Sequence, residues 1–186
     1  DIVIANAGIA ASAPLDKTER GLWDQIIAVN LTGPFLTLRE GLARIKAAQC
    51  QQGRLIAIAS MTAKRAYPYI SAYAASKHGV LGLVKSAALE VAALGNGGSE
   101  SEQKNITVNA ICPGYLDTEM TQSSIANIVE KTGLSSKKAA EKLHSFSPQK
   151  RLFTADEVAQ AALYLASPAA SGINGQALSI DGGETW

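Results

Sequence analysis

Residues 54–59 read Arg-Leu-Ile-Ala-Ile-Ala and are followed at once by Ser60. Apart from its first residue this run is apolar at both alternating sets of positions. A half-exposed strand alternates apolar with polar residues, whereas one that is apolar on both faces suits the middle of a parallel sheet with helices on each side. Working outward, similar runs recur at Asp1–Ala5, Ile106–Ile111 and Ala177–Ile180. Helical stretches separate them. After a Gly/Ala/Ser/Pro loop to Pro14, Asp16 and Glu19 have capping-box spacing ahead of Leu22, Trp23, Ile26 and Ile27, and the helical reading resumes after Gly33-Pro34 and runs to Gln49. Ser71–Leu94 is a long Ala-rich helix, Gly95–Asn105 a loop of Gly, Ser and charges, and Thr154 with Glu157 opens a last helix through Leu165. Thr121–Lys150 has helical propensity but a weak apolar stripe, and reads as a mobile helical flap. This alternation implies an α/β fold, a doubly wound parallel sheet whose strand C-termini share one edge. The loops Asn6-Ala7-Gly8, Ser60-Met61-Thr62 and Pro113-Gly114-Tyr115 are expected to converge there, where ligands of such sheets bind.

The chain has 186 residues, 47% hydrophobic and 18% charged, with a net charge of +1. That is length for one domain with a sizeable core, not for two. Mixed signs near neutrality argue against nucleic acid or a membrane surface as partner. No apolar run approaches the ~20 residues that span a bilayer. Cys50 and Cys112 form neither a disulfide scaffold nor a metal motif, and no metal site is expected. No charged-then-apolar leader opens the chain, so a cytoplasmic location is expected. The sequence starts at Asp1, inside an apolar strand. The expectation is that residues 1–186 form the C-terminal part of a single longer domain.

Tyr73 and Lys77 lie four apart on the Ala-rich helix and share one face, about 6 Å apart along the axis. A lysine so placed stabilises a tyrosinate and draws the phenol pKa down from roughly 10, making Tyr73 a candidate general acid/base. Ser60, at a strand C-terminus, is placed to hydrogen-bond the same substrate oxygen. His78 points elsewhere on the helix, His144 lies in the polar flap, and Tyr67 and Tyr69 are read as packing aromatics. Asp181 is read as the cap of the turn after the last strand.

These residues resemble the short-chain dehydrogenases/reductases of the single-domain type, and the resemblance covers essentially the whole chain. Asn6-Ala7-Gly8 matches that family's motif after its fourth strand, with Ala5 where a second Asn is usual. Val29-Asn30-Leu31 matches its helix asparagine, and Ser60 with Tyr73-Ala74-Ala75-Ser76-Lys77 matches its Ser and Tyr-x-x-x-Lys pattern. Pro113-Gly114 running on to Thr118, and Gly175-Gln176-Ala177 through Gly183, are similar to its Pro-Gly motif and last strand. The resemblance implies a Rossmann-like fold and hydride transfer between NAD or NADP and a carbonyl or secondary alcohol. It makes Asn30, Ser60, Tyr73 and Lys77 the catalytic set. Tyr73 would be the proton donor in reduction, Lys77 would also hold the ribose hydroxyls, and Asn30, at an irregularity in its helix, would hold a water. Asn6, Ala7, Gly8, Tyr73, Lys77, Pro113, Gly114, Leu116 and Thr118 would bind the cofactor.

The family's first three strands and Gly-rich loop are missing from this sequence, and with them the residue that separates NAD from NADP. Asp1–Ala5 is therefore expected as an exposed apolar edge. The region from Arg151-Leu152-Phe153 to Gly183 is most similar to the branch that reduces 3-oxoacyl thioesters, so a small-molecule or thioester-linked substrate is expected. Lys137, Lys138, Lys142, Lys150 and Arg151 give the flap cationic character that suits a phosphate-bearing arm, against the blander reading of a solvated helix face. An enoyl reductase spaces its Tyr seven residues before Lys, and position 70 is Ile70. The alternatives are a reductase of another small alcohol, sugar or steroid, and a catalytically silent scaffold. Apolar surface on Leu31–Gln49 and Ser71–Leu94 implies a homo-oligomer, in the family a dimer or tetramer.

Overall fold

Four strands, β1 (Ile2–Ala5), β2 (Gln52–Ile58), β3 (Asn105–Pro113) and β4 (Ala177–Ile180), lie side by side in that order and run parallel. The coordinates are a computed structural model that describes residues 1–94 and 104–185. Side chains alternate along a strand, so Leu55, Ala57, Val108, Ala110 and Cys112 enter one layer. There they meet Leu38 and Ile45 of α2 (Gly33–Ala47) and Val80, Val84 and Val91 of α3 (Ser71–Ala93). Ile56 and Ile111 enter the other layer, against Val158 and Leu165 of α6 (Ala155–Ala166). The doubly apolar run at residues 54–59 thus feeds two cores, and each fully buried Val, Leu or Ile contributes about 1.5–3 kcal/mol. The sheet ends at β1, where Ile2 and Ile4 are 58% and 45% exposed, the apolar edge expected from the sequence.

The helices begin where local bonds dictate. Thr154 and Glu157 form the expected capping box, with the Thr154 hydroxyl accepting from the Glu157 N–H at 3.2 Å and the Glu157 carboxylate from the Thr154 N–H at 2.8 Å. Arg151 clasps that carboxylate through two nitrogens and stacks on Phe153, so it is not part of a free cationic patch. The box expected at Asp16 and Glu19 does not form. Pro14 instead starts a single tight turn over Leu15–Lys17, and the Thr18 hydroxyl donates back to the Pro14 carbonyl at 3.0 Å. Helix α1 (Arg20–Ile27) starts one turn late, with Glu19 flanking it and making no side-chain cap. Of the loop expected at Gly95–Asn105, residues 95–103 lie outside the described residues and Asn105 already belongs to β3.

Two further departures shape the site. The chain does not break at Gly33-Pro34 but runs from α1 through a π-helical turn, Ala28–Thr32, into α2. Pro34 has no N–H and denies the Asn30 carbonyl its ordinary helical donor. The turn widens, and the Gly33 N–H bonds the Ala28 carbonyl five residues back. The expected flap is a helical hairpin, α4 (Glu119–Thr132) and α5 (Ser136–Phe146), reversed through Gly133 at φ +69°. Its stripe is narrow rather than absent, with Ile125, Ala139 and Leu143 buried against Tyr115, Ile128, Val129 and Ala140. Among the described residues no helix is long and apolar enough to cross a membrane.

The two helix faces give one substitution opposite signs. A Cβ on Gly41 would lie 2.7 Å and 2.9 Å from the two methyls of Val3, whose branched side chain has little room to turn. Gly41→Ala is expected to destabilise the full-length protein by about 1–3 kcal/mol. Nothing lies within 4 Å of a Cβ on Gly21, so Gly21→Ala should stabilise by up to about 1 kcal/mol. Denaturant unfolding checks both.

Candidate active site

Helix α3 approaches the π-helical turn closely because Gly79 has no side chain; a Cβ there would sit 2.9 Å from a Leu31 methyl. That approach sets Ser76 and Lys77 beside Asn30. The Asn30 side chain is fully buried and clamps the loop after β1, accepting from the Ile9 N–H at 2.9 Å and donating to the Ile9 carbonyl at 2.8 Å. It also donates to the Ser76 hydroxyl at 3.3 Å, which in turn donates to the Tyr73 carbonyl at 2.7 Å. The carboxamide is therefore committed to protein, and Pro34, which has no N–H, leaves the neighbouring Asn30 carbonyl without its ordinary helical donor.

Lys77 is 3% exposed, and its ammonium donates to the Ile58 carbonyl at 3.0 Å, two residues before Ser60. It lies 5.8 Å from the centre of the Tyr73 ring. Gly8 completes this floor, since a Cβ there would touch both the Asn30 carboxamide oxygen and the Lys77 ammonium at 3.5 Å. Ser60 has extended backbone at the end of β2, and its hydroxyl accepts from the Thr62 N–H at 3.1 Å. Gly8, Asn30, Ser60, Tyr73 and Lys77 thus come together, while Asn6 and Ala7 stay exposed at the end of β1. Pro113 ends β3, and the Gly114 N–H donates to the Ile180 carbonyl at 2.9 Å, tying this turn to β4. A Cβ on Gly114 would lie 3.1 Å from the Asp181 backbone, so the turn tolerates no larger residue without adjustment. Leu116 pairs with Phe153, and Thr118 precedes α4 without making a side-chain cap.

The electrostatics differ from the sequence expectation. Burial pushes the Tyr73 phenol up, and the group that draws it back is the Ser60 hydroxyl, not Lys77. Burial also lowers Lys77 to about 8, with the nearby Cys112 thiol acting in the opposite sense. No carboxylate pairs with Lys77 among the described residues. The residues fit a cofactor on this ground: a buried cation with one carbonyl partner has donors left for hydroxyl oxygens, and Gly8 leaves the backbone low beside it.

Sequence reasoning gave no role to Cys112, whose place in the strand alternation turns it toward Ser60 and Lys77, while Tyr115, expected there only as part of the converging loop after β3, lies near Tyr73 and is raised by burial to about 12. Reading β3 residue by residue exposes Cys112. Tyr67 packs, as read, against Phe146 at 5.6 Å, whereas Tyr69 does not and is 65% exposed. His78 is exposed and bonds the Ala74 carbonyl at 2.9 Å. Asp181 caps its turn, accepting from the Gly183 and Thr185 N–H groups at 3.0 Å each. No group of three or more metal-ligating side chains occurs among the described residues.

The buried lysine has a thermodynamic signature. Unfolded, Lys77 keeps its proton to pH 10.5; folded, it releases it near about 8. Between these values the unfolded chain binds more protons, so stability rises with pH. Relative to Lys77→Met, the unfolding free energy of the wild type is expected to climb by about 2 kcal/mol from pH 8 to 10. A flat difference in denaturant titrations would mean that the ammonium is solvated.

Comparison with known proteins follows the same outline. A family model described as Enoyl-(Acyl carrier protein) reductase matches residues 1–185. The uncharacterized oxidoreductase YxjF of Bacillus subtilis (strain 168) is 38% identical over 186 residues, all of this chain and 68% of that protein. A D-beta-hydroxybutyrate dehydrogenase of Rhizobium meliloti (strain 1021) is also 38% identical, over all of this chain and 67% of its own. A solved actinorhodin polyketide ketoreductase with NADPH superposes with a TM-score of 0.88 at 31% identity, over 99% of this chain and 67% of that one. The chain spans about two thirds of the length of these relatives.

Proposed function

The chain belongs to the short-chain dehydrogenase/reductase family, and from that premise we propose that its protein is an NAD- or NADP-dependent reductase of 3-oxoacyl thioesters. Residues 1–186 are, on this reading, the C-terminal two thirds of one such domain. The observation that carries the reading is the gathering of Ser60, Tyr73 and Lys77 at the end of β2, over the Asn30 clamp. Similarity to a hydroxybutyrate dehydrogenase and a polyketide ketoreductase supports the 3-oxo/3-hydroxy substrate class.

A nicotinamide cofactor supplies the hydride when bound, and Lys77, Gly8 and the Pro113-Gly114 turn are the residues that would hold it, with Asn6, Ala7, Leu116 and Thr118 at its margins. The substrate carbonyl oxygen accepts hydrogen bonds from Ser60 and Tyr73, which polarise it. As its carbon is reduced, the oxygen takes the Tyr73 proton. A phenol held neutral by burial has that proton to give at neutral pH, whereas the reverse oxidation needs it ionised. Ser60 steadies the resulting phenolate, and Lys77, with a water held at Asn30, is the route by which the proton is replaced. The same reading includes a homo-oligomer, supported by Phe35 and Leu36 on α2 and Leu89 on α3, all exposed, and a cytoplasmic location.

Tyr73→Phe is expected to lower the reduction of acetoacetyl-coenzyme A by the full-length protein at least about 100-fold, with KM little changed. Unimpaired turnover would end the assignment. In the reverse direction, alcohol oxidation should rise steadily through the alkaline range, where the raised phenol ionises, while reduction stays level around neutrality. Initial rates against pH check this.

A further inference from the structure

The ten-residue stretch between Ser60 and Ser71 carries only one short turn, Met61–Ala63, yet it connects Ser60 to the helix that bears Tyr73. Two of its side chains are held from the far end of the chain. The Lys64 ammonium donates to the Ala177 carbonyl at 2.7 Å and to the Ser179 hydroxyl at 2.8 Å. The Tyr67 hydroxyl donates to one oxygen of Glu184, a residue only 5% exposed. The other Glu184 oxygen is buried and has no hydrogen-bond partner. Tyr67 is therefore the single hydrogen-bond partner of that carboxyl among the described residues.

The turn before Glu184 is built to send it inward. Gly182 and Gly183 take φ of +66° and +87°, in the region where a side chain is strained, and a Cβ on Gly182 would lie 2.6 Å from the Ser147 hydroxyl. Asp181 ties the turn together, and Ser147, just after α5, donates to the Asp181 carbonyl at 3.1 Å. Phe146, at the end of α5, sets its ring against Tyr67 and stacks on Tyr115 at 6.1 Å. One corner thus joins three segments: the stretch after Ser60, the hairpin exit and the C-terminal turn. A side chain kept there only for packing would be apolar, because a buried carboxyl with one partner is costly.

We propose that Glu184 is a positioning residue: through the Tyr67 hydroxyl it fixes the segment that links Ser60 to Tyr73, and through the Tyr67–Phe146 contact it sets the helical hairpin against that segment. The positioning role rests on the reading of Ser60 and Tyr73 as the reacting pair; the latch itself does not. Glu184→Ala and Tyr67→Phe each remove the same bond, so their effects coincide instead of adding. Glu184→Gln keeps an oxygen for the Tyr67 hydroxyl and so leaves the latch closed.

The experiment uses the full-length protein and two readouts. Limited trypsin digestion followed by mass spectrometry measures cleavage after Lys64 and Arg65, both exposed within the latched segment. Cleavage there is expected to accelerate about fivefold or more in Glu184→Ala and Tyr67→Phe, no further in the double variant, and to stay at the wild-type rate in Glu184→Gln. With acetoacetyl-coenzyme A and NADPH or NADH, the first two variants should raise KM about tenfold while kcat changes less. Unchanged cleavage in both single variants, or additive effects in the double variant, overturns the latch whatever the activities show. Faster cleavage with KM unmoved overturns the positioning role. Full activity in Tyr73→Phe, or no reductase activity in the wild type, counts against the proposed function and leaves the digestion result to decide the latch.

Discussion

Burying the Lys77 ammonium with no carboxylate partner among the described residues is the constraint around which the rest of this molecule is arranged. A cation out of water depends on fixed dipoles, and here the Ile58 carbonyl supplies one from the end of a strand locked on both sides by its neighbours. The lysine reaches that carbonyl because α3 lies close over the sheet, and α3 lies close to the preceding helical run because Gly79 leaves room for Leu31. Asn30 and Gly8 then close the space around the side chain with the carboxamide–Ile9 clamp. These groups come from β2, α3, the π turn and the loop after β1. The lysine environment is thus a product of packing, and its depressed pKa is the physical record of that packing.

The parallel sheet makes such a convergence possible. With every strand running the same way, all connections leave the C-terminal ends at one edge, and the loops after β1, β2 and β3 meet there without any of them being long. Two-sided burial of β2 and β3 holds those ends still. The helical hairpin and the C-terminal turn add a second tier. They hold the segment between Ser60 and Tyr73 through Tyr67, and β4 holds it through Lys64, so the part of the site with least regular structure of its own is held from outside.

Burial opposes the simple picture of a lysine acidifying its neighbouring tyrosine. Four residues apart on one helix, the two groups share a face, yet the ring centre is 5.8 Å from the ammonium and desolvation dominates both. Burial keeps the phenol protonated and makes the lysine easier to deprotonate. A phenol in that state has a proton to give at neutral pH.

Much of this was legible in the sequence, for reasons that are local. Periodicity and composition determined the four strands, the long Ala-rich helix, the Thr154 cap and the parallel α/β architecture, because alternation and helical spacing are properties of neighbouring residues. Helical spacing singled out Tyr73 and Lys77, the strand end Ser60, and the family resemblance added Asn30. The sequence did not show that the chain would widen into a π turn at Asn30 instead of breaking, since an α-helix, a π turn and a break all follow from a missing Pro34 donor and only the packing of α3 selects among them. Nor did it disclose Cys112 beside the lysine, the failure of the Asp16–Glu19 cap, or the bond from Glu184 to Tyr67 across 117 positions. Those depend on which distant groups share a buried space, and only the tertiary fold decides that, because desolvation and contact act between neighbours in space whatever their separation along the chain.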